Sequence, residues 1–409
     1  MLLSAALINV CAYAESAGFR NEQKLVSNAK APYDKKYTNI QWQLEAAENV
    51  GAPIAYEDSV LLPCGDEVLR LAEENGTRMA AIKLPETVCT DYSGAMLGKI
   101  LVQPTASGIC TIDFTDGTIK GHKSFDGTVD SDVAIIDSMA YFSIKADGGE
   151  TFYCVDISAD MTVLWEYPAD ADMTSSTVQG DYVIFGAGKK LVTAHYKDGT
   201  TNEIPLDSEI IGAPFASQYA VFFTTVDGKA VKIRLNNDGT MEEDTLIACA
   251  IGTGASAPLA HNNRLYVASD TGLHILDSIN MENITTLSDI KNGCDPIICR
   301  GNGNRVYTVS TYSEGGWALH SVYDPGEDSE PIDEAIAGLY SFADGKIAVS
   351  ENGTMYFRDD IGRLFALTLV EYDIITIIIK LVVLVLIIGG IFFWIRLVGK
   401  RRAANNPRY

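Results

Sequence analysis

The stretch "TDGT" at residues 115–118 returns along the chain at a nearly regular spacing. Its relatives are "ENGT" at 74–77, "KDGT" at 197–200 and "NDGT" at 237–240. A Gly after Asp or Asn favours a tight β-hairpin, because both central residues of a type I′ turn have positive φ. The flanks alternate between apolar and polar residues, as in "KLVTAHYKDGTTNEI" at 190–204. Each copy therefore predicts a strand, a turn and a second strand.

A second motif precedes these hairpins and contains a small residue or Pro, a short strand, a polar turn and an apolar strand. Its clearest copies are "GAPIAYEDSVLLPC" (51–64), "GAPFASQYAVFFTT" (212–225) and "SAPLAHNNRLYVAS" (256–269). Copies begin near 51, 93, 131, 175, 212, 256, 294 and 345. Four strands without a helix, repeated about every 40–45 residues, are typical of a propeller blade. The sequence predicts an all-β fold, an eight-bladed β-propeller of four-stranded antiparallel blades, with seven blades as the alternative.

The two ends of the repeat region complement each other. The last repeat has only three predicted strands, around 346–350, 354–358 and 363–369. Trp42 lies before the first repeat in a stretch that resembles the outermost strand of a blade, as the stretch around Trp165 does. We therefore expect the N-terminal strand 37–45 to complete the last blade and close the ring, since pairing the ends removes an open sheet edge.

These features resemble the pyrroloquinoline-quinone-type propeller repeats. The resemblance rests on the opening motif, the apolar strand, the turn with Asp and Gly, and the outer strand with Trp, and it covers about residues 37–370. It implies the propeller fold of the quinoprotein dehydrogenases and of non-catalytic relatives such as the outer-membrane assembly lipoprotein. The dehydrogenases carry an adjacent Cys-Cys pair and long inserted loops, and this chain has neither, so the non-catalytic branch is favoured.

The sequence contains no pattern that predicts a catalytic, cofactor or metal site. The five histidines are scattered, and no pair of cysteines has the CxxC spacing of a metal site. Most cysteines lie in apolar strands, such as Cys110 and Cys154, and are expected to be buried free thiols. A Cys294–Cys299 disulfide is the alternative for that pair. We expect no enzyme activity and no bound cofactor.

The C-terminal region is apolar in a different way. "IITIIIKLVVLVLIIGGIFFWI" at 374–395 contains a single charge, and at about 1.5 Å per residue it is long enough for the ~30 Å core of a bilayer. The sequence predicts a transmembrane helix over 374–398, followed by a basic tail at 399–409. The basic residues that set its orientation are Arg396, Lys400, Arg401 and Arg402. They predict a cytoplasmic C-terminus.

Three residues of this segment are candidates for contact with a partner in the membrane. Lys380 lies six residues from Ile374, where a charge is costly. Its side chain either extends back to the headgroups or pairs with an acidic residue of another transmembrane helix. Gly389 and Gly390 are small enough to let another helix approach closely.

The charge distribution supports an exported protein. Six of the 31 basic residues and one of the 54 acidic residues lie in 373–409, so this end carries +5 and the rest of the chain −28. An acidic body of this kind excludes nucleic acid as a partner, because phosphate binding needs clustered Lys and Arg. Residues 1–14 predict a signal peptide, and 15–36 a polar N-terminal segment.

The sequence thus predicts a single-pass protein of the cell membrane with an extracytoplasmic propeller. Its expected role is a non-catalytic binding or scaffold module for a protein or cell-surface partner, because propellers present loops and a central funnel suited to binding. The first alternative is a ligand-capture or sensing subunit of a membrane transport complex. The second is a degenerate quinoprotein enzyme.

Overall fold

The computed structural model describes a nearly all-β chain with one helix. The described residues are 26–27, 38–45, 49–158, 160–217, 219–299, 305–311, 317–323, 332–339, 347–350, 352–359, 362–369 and 374–405. The predicted signal peptide lies outside them, as does all of the polar segment 15–36 except 26–27. The chain divides into two compact units, Met1–Leu369 and Val370–Tyr409.

The described strands form eight sheets, named I to VIII in the order of their opening motifs. Two strands precede the repeats, β1 (Val26–Ser27) and β2 (Thr38–Glu45). Sheet I contains β3 (Ile54–Tyr56), β4 (Ser59–Cys64), β5 (Glu67–Ala72) and β6 (Arg78–Lys83). Sheet II contains β7 (Ala95–Leu97), β8 (Ile100–Pro104), β9 (Gly108–Asp113) and β10 (Thr118–Ser124). Sheet III contains β11 (Thr128–Val129), β12 (Ala134–Ile136), β13 (Met139–Ala146), β14 (Gly149–Asp156) and β15 (Thr162–Ala169). Sheet IV contains β16 (Thr177–Gln179), β17 (Tyr182–Ala187), β18 (Lys190–His195) and β19 (Thr201–Pro205).

The remaining four sheets follow the same plan. Sheet V contains β20 (Ile210–Ala216), β21 (Ala220–Thr225), β22 (Lys229–Leu235) and β23 (Met241–Ala250). Sheet VI contains β24 (Leu259–His261), β25 (Arg264–Ser269), β26 (Gly272–Asp277) and β27 (Asn283–Leu287). Sheet VII contains β28 (Ile297–Cys299), β29 (Arg305–Thr311), β30 (Trp317–Tyr323) and β31 (Ile332–Leu339), with β1 parallel to β28. Sheet VIII contains β32 (Ala348–Val349), β33 (Met355–Arg358) and β34 (Arg363–Leu369), with β2 on its outer side.

The repeated Asp/Asn-Gly-Thr turns join the third and fourth strands of sheets I, II, IV and V, but they are not type I′ turns. Only the Gly of each turn has positive φ, for example 70° at Gly117 and 69° at Gly199. The preceding Asp or Asn instead accepts a hydrogen bond from the Thr amide two residues on, as Asp198 Oδ1 does from Thr200 N at 3.0 Å. The expectation of two positive φ angles was therefore wrong, because the side chain of Asp or Asn selects an Asx turn.

Two of these turns receive a tryptophan from another sheet. Trp165 of β15 donates from Nε1 to the Tyr196 carbonyl of sheet IV at 3.1 Å. Its indole lies so close to Gly199 that a Cβ there would be 2.7 Å from Cγ of Trp165. Trp42 of β2 donates in the same way to the Glu73 carbonyl of sheet I at 2.7 Å, with its ring against Gly76. The glycine thus supplies both the positive φ and a flat surface for an indole.

Apolar clusters connect each sheet to the next. Separate clusters join sheets I and II, II and III, III and IV, and IV and V. A further cluster contains residues of sheets V, VI and VII, and another joins VII and VIII. The last joins VIII to I through Tyr356, Leu364 and Leu71. Each sheet consequently buries both of its faces against neighbours, which a single sheet could not do.

Sheet VIII contains strands from both ends of the repeat region. β2 pairs antiparallel with β34, with Trp42 opposite Ala366 and Glu45 opposite Arg363. A second connection to sheet I is the carboxylate of Glu73, which is 7% exposed. It accepts hydrogen bonds from Ser350 Oγ at 2.5 Å and from Asn352 Nδ2 at 3.0 Å. The same turn of sheet I is therefore held by both ends of the repeat region.

A belt of hydrogen bonds links the opening motifs of successive sheets. Asp132, before β12, accepts hydrogen bonds from the amide and hydroxyl groups of Ser93, before β7, at 2.7 and 2.9 Å. The Asp132 amide donates to Ser175 Oγ, before β16, at 2.9 Å. Asp295, before β28, accepts from the Ala257 amide, before β24, at 2.8 Å. A polar side chain two residues before the first strand thus satisfies the backbone of the preceding sheet.

The cysteines that lie deepest in the sheets are inert thiols. Cys110 and Cys154 are fully buried and not oxidised, as the apolar strand pattern predicts. Burial raises the pKa of each thiol to about 12. The Cys294–Cys299 alternative is not tested, because the side chain of Cys299 lies outside the described residues.

The second unit contains the helix α1 (Ile374–Asn405), which extends seven residues beyond the predicted end at 398. Its described apolar side chains are exposed, including Leu386 at 69% and Trp394 at 67%. In a search of the described residues, no helix reaches the length and mean hydropathy required of a membrane span. The predicted transmembrane helix is not supported by that finding.

The docked turn predicts a difference between two glycines. Gly199→Ala should lower the free energy of unfolding by about 1–3 kcal/mol more than Gly117→Ala, because only the former Cβ meets an indole. Both positions have positive φ, so the strain of a left-handed alanine, about 1–2 kcal/mol, is common to the two variants. Urea unfolding of both variants measures the difference, and equal losses would contradict tryptophan docking at this turn.

The Glu73 contacts predict a second difference. Glu73→Ala should cost about 2–3 kcal/mol, because it leaves the buried hydroxyl of Ser350 without its acceptor and removes the hydrogen bond from Asn352. Its neighbour Glu74 is exposed, so Glu74→Ala should stay within about 0.5 kcal/mol of wild type. The midpoint of thermal unfolding for the two variants is the measurement. A Glu73→Ala protein as stable as Glu74→Ala would show that this carboxylate does not hold the two ends together.

Candidate binding surfaces

The histidines of the described residues lie apart and in structural roles. His122 Nε2 lies 3.5 Å from the Glu86 carboxylate and 3.4 Å from Ser124 Oγ. Both contacts use the same ring nitrogen, whereas a Ser-His-acid relay needs one partner on each nitrogen. Glu86 also accepts hydrogen bonds from Ser107. Burial alone would raise the pKa of Glu86, but the hydrogen bonds from Ser124 and Ser107 outweigh burial and hold this pKa below its ordinary value. This group is a saturated hydrogen-bond cluster.

His274 has the opposite environment and is buried on β26. Its Nε2 lies 2.7 Å from Thr271 Oγ1 and 3.2 Å from Ser269 Oγ, and its Nδ1 lies 3.1 Å from Thr286 Oγ1. Burial lowers its pKa, so the imidazole stays neutral near pH 7. Within the described part of the chain, no group of three His, Cys, Asp or Glu side chains is arranged to hold a metal ion.

A cluster of acidic residues lies where sheets II, III and IV meet. Lys145 of β13 contacts Asp172 at 2.6 Å and Asp130 at 3.5 Å. Asp130 also accepts a hydrogen bond from the Tyr92 hydroxyl at 2.8 Å. The single lysine is half exposed and bridges the two carboxylates, so this cluster is partly neutralised.

Glu150 on β14 is the buried member of this cluster, with 2% exposure. Its Oε2 accepts a hydrogen bond from the Met173 amide at 2.6 Å, while Oε1 is buried without a hydrogen-bond partner. Burial raises the pKa of this carboxyl to about 7, opposed by Ser143, Met173 and Lys145. The group is therefore near the midpoint of its titration at neutral pH.

A groove of about 380 Å³ lies between sheets IV and V. It exists because the outer strands differ in length: β19 has five residues and β23 has ten. The short strand cannot cover the face of the long one. Its lining includes Asp207, Phe223, Lys229, Val231, Glu243 and Leu246.

A second cavity, of about 460 Å³, lies between sheets I and VIII. Its lining is acidic and polar, with Asp58, Glu73, Glu74, Gln41 and Asn352. Glu73 already has two donors there, so the carboxylate is satisfied without a ligand.

The residues that the sequence singles out lie mainly in α1. Lys380, Gly389, Gly390 and Arg396 lie on its surface, and a Cβ added to either glycine would meet no atom within 4 Å. Lys400, Arg401 and Arg402 are within the helix, but their side chains lie outside the described residues. Trp42 is buried in sheet VIII, in contact with the turn of sheet I.

Sequence reasoning missed the groove between sheets IV and V. A signal is present in "MEEDTLIACA" at 241–250, where three acidic residues precede six uncharged ones. In contrast, most other outer strands with described side chains are interrupted by charges or Pro. The exceptions are β2, which has a single charge at Glu45, and the short β27. The pattern suggests an unprotected edge, but the length of the facing strand β19 decides that a groove forms.

Comparison with known proteins identifies the fold and nothing finer. No protein-family model and no curated protein matches the chain. The structure is similar to that of BamB from Moraxella catarrhalis, with a TM-score of 0.60 and 11% identity over 81% of this chain and 99% of that one. It is also similar to quinohemoprotein alcohol dehydrogenase from Comamonas testosteroni, with a TM-score of 0.59 and 10% identity over 84% and 79%. The computationally designed Ika8 protein matches with a TM-score of 0.57 and 14% identity over 79% and 98%.

These similarities support a β-propeller-like fold, as the sequence predicts. One of the similar structures is an enzyme by its name, so the fold does not decide whether this chain is one.

The buried carboxyl of Glu150 predicts a pH dependence. Its folded-state pKa of about 7 exceeds the ordinary value of 4.5, so the folded chain holds its proton longer and stability falls as pH rises from about 4.5 through 7. Glu150→Gln removes this loss and should be more stable than wild type by about 1–3 kcal/mol at pH 8.5, with no gain at pH 4.5.

Urea unfolding of the two proteins across this pH range is the measurement. The exposed Glu166 on the adjacent strand β15 provides the matched control, and Glu166→Gln should follow the wild-type pH profile. A Glu150→Gln profile parallel to wild type would show that Glu150 does not titrate in this window.

Proposed function

We propose that the chain is a non-catalytic binding module whose propeller holds a protein partner at its rim. The observation that carries this proposal is the outer strand of sheet V. Leu246 and Ile247 of β23 are exposed by 37% and 41%, beside a groove with acidic lining. Adjacent exposed apolar side chains next to a concavity are typical of a surface that binds another protein.

We infer further that the eight sheets are the eight blades of one closed ring. The support is the series of apolar clusters that runs from sheet I to sheet VIII and returns to sheet I. The pairing of β2 with β34 fits a ring whose last blade is built from both ends of the unit, with Trp42 at the closure. We also propose that the chain resembles the non-catalytic relatives among proteins with pyrroloquinoline-quinone-type repeats.

The proposed location is the cell membrane, with the propeller outside and the C-terminus in the cytoplasm. Its support is the apolar stretch 374–395, the exposure of the described apolar side chains of α1, and the cluster of basic residues from Arg396. This part is not supported by the described residues, in which no helix has the length and hydropathy of a membrane span. An exposed apolar helix nevertheless needs a cover, and a bilayer provides one.

Ligand capture is the second candidate function, and the cavity between sheets I and VIII favours it. With Asp58, Glu73 and Glu74 in its lining, the cavity would select a cationic molecule. Calorimetric titration with a small diamine tests this candidate. Binding that Glu74→Gln weakens would support it, and the absence of heat would reject it.

The membrane proposal predicts an effect of Lys380. Cross-linking and capture from native membranes should recover a partner with wild type and with Lys380→Arg, and less of it with Lys380→Leu, if the lysine pairs with an acidic residue of a partner helix. Equal recovery in all three proteins would reject the intramembrane pair.

Protease added to intact cells should degrade the propeller, and a protected propeller would overturn the proposed orientation.

A further inference from the structure

We infer that the groove between sheets IV and V binds an extended segment of the partner protein, which adds a strand to the edge of β23 at Ile247–Ala250 and presents a basic side chain to Asp207 and Glu243. This inference rests on the proposed function and names the chemistry of its partner.

The edge of β23 is open and has little protection. β23 is the last strand of sheet V in the order β20-β21-β22-β23, so its outer backbone groups have no strand neighbour in the described part of the chain. Residues 245–250 contain no charge and no Pro, which are the usual protections of an exposed edge. Such an edge is a template for strand addition by an extended peptide.

The other outer strands with described side chains contain such protecting residues, apart from the shorter β27 (Asn283–Leu287) and β2, whose single charge is Glu45. The charged residues and prolines that protect the remaining outer strands are Arg78 and Lys83 in β6, Lys120 and Lys123 in β10, Glu166 and Pro168 in β15, and Glu203 and Pro205 in β19.

A bulge directs the acidic and apolar side chains of β23 into the groove. Lys232 pairs with Ile247 and Arg234 with Glu242, so residues 243–246 are looped out of the ladder with β22. Thr245 Oγ1 accepts the Arg234 amide at 2.9 Å, which satisfies the donor that the bulge releases. Glu243 and Leu246 consequently line the groove, since bulges re-aim side chains.

The charge of the groove favours a basic partner. Lys229 lies 2.5 Å from Asp227, which also accepts a hydrogen bond from Thr225 Oγ1 at 2.6 Å. The lysine is therefore neutralised within the groove. Asp207 and Glu243 have no cationic partner within 4 Å among the described residues, so two negative charges remain for a basic side chain to meet.

An apolar contact accompanies these charges. Leu246, which is 37% exposed, lines the same groove of about 380 Å³ together with the buried Phe223 and Val231. Side chains of an added strand alternate between the two faces of the sheet, so every second one would enter the groove. A segment that alternates basic and β-branched residues fits both the charge and the shape.

A second copy of this chain is a poorer occupant, because the N-terminal unit carries a strong negative charge.

The test measures the binding of a fluorescein-labelled octapeptide of alternating Lys and Val to the purified full chain by fluorescence anisotropy at 150 mM salt. Leu246→Asn should weaken binding about tenfold. Leu164→Asn changes an exposed leucine on the outer strand of sheet III in the same way and should bind as wild type does. Because both variants keep the net charge, general attraction of a cationic peptide to an acidic protein cannot produce a difference.

Two further comparisons separate charge and strand addition. Glu243→Gln should weaken binding, while Glu166→Gln, with the same change of charge on β15, should not. The same peptide with alternate amides N-methylated keeps its charge and side chains but cannot form a ladder, and it should lose binding. Equal effects of the two leucine variants, undiminished binding of the N-methylated peptide, or no binding at all would each overturn the inference.

The outcomes remain distinct from those of the proposed function. A partner that cross-links to wild type and equally to Leu246→Asn would leave the binding function standing and reject the groove. Failure to cross-link any partner would reject the binding function, whatever the peptide does. A wild-type dimer in sedimentation that Leu246→Asn dissociates would identify a second copy of the chain as the occupant and reject the basic partner.

Discussion

Every sheet of this molecule depends on the burial of two apolar faces. An antiparallel sheet of four short strands is too small to be stable alone, and its second face can be buried only by another sheet. The seven apolar clusters show how the chain meets this requirement, since each sheet supplies one face to its predecessor and the other to its successor. Such a series has no natural end, so the first and last sheets must also meet.

The contacts between sheets I and VIII show that this closure is specific. The turn after β5 accepts the indole of Trp42 through its backbone and directs the side chain of Glu73 to Ser350 and Asn352. The indole of Trp42 and the side-chain donors of Ser350 and Asn352 therefore contact the same turn from two segments that are distant in sequence. Apolar packing supplies the attraction between the sheets, and these directional hydrogen bonds set their register.

Much of this architecture is predictable from the sequence, for a physical reason. A strand pair needs alternating residues and a turn, and both are local features, so the period of the repeat and the third-to-fourth position of the Asp/Asn-Gly-Thr turns can be found without coordinates. The turn geometry was missed because Asp and Asn favour two different turns, and the choice depends on the neighbouring amide of Thr. The docked indole was missed because Gly199 and Trp165 belong to different sheets.

The binding surfaces were less predictable than the fold. The groove depends on a difference in length between β19 and β23 and on a bulge opposite Ile233, and neither appears in a periodic pattern. The sequence also does not predict an ionisable group with a raised pKa at Glu150. Its alternation with Phe152 and Cys154 predicts only that the position faces the core. The acidic composition excludes nucleic acid as a partner, but only the pairing of Lys229 with Asp227 shows which charges remain in the groove.

The pairing of β2 with β34 has a consequence during synthesis of the chain. Trp42 lies opposite Ala366, so the ribosome must add more than three hundred residues before the partner of β2 exists. At the usual rates of about 5–20 residues per second, the N-terminal strand waits roughly 15–65 seconds with its indole uncovered. A nascent chain that stalls before β34 therefore exposes an apolar edge at its beginning, where a chaperone or a protease can recognise it.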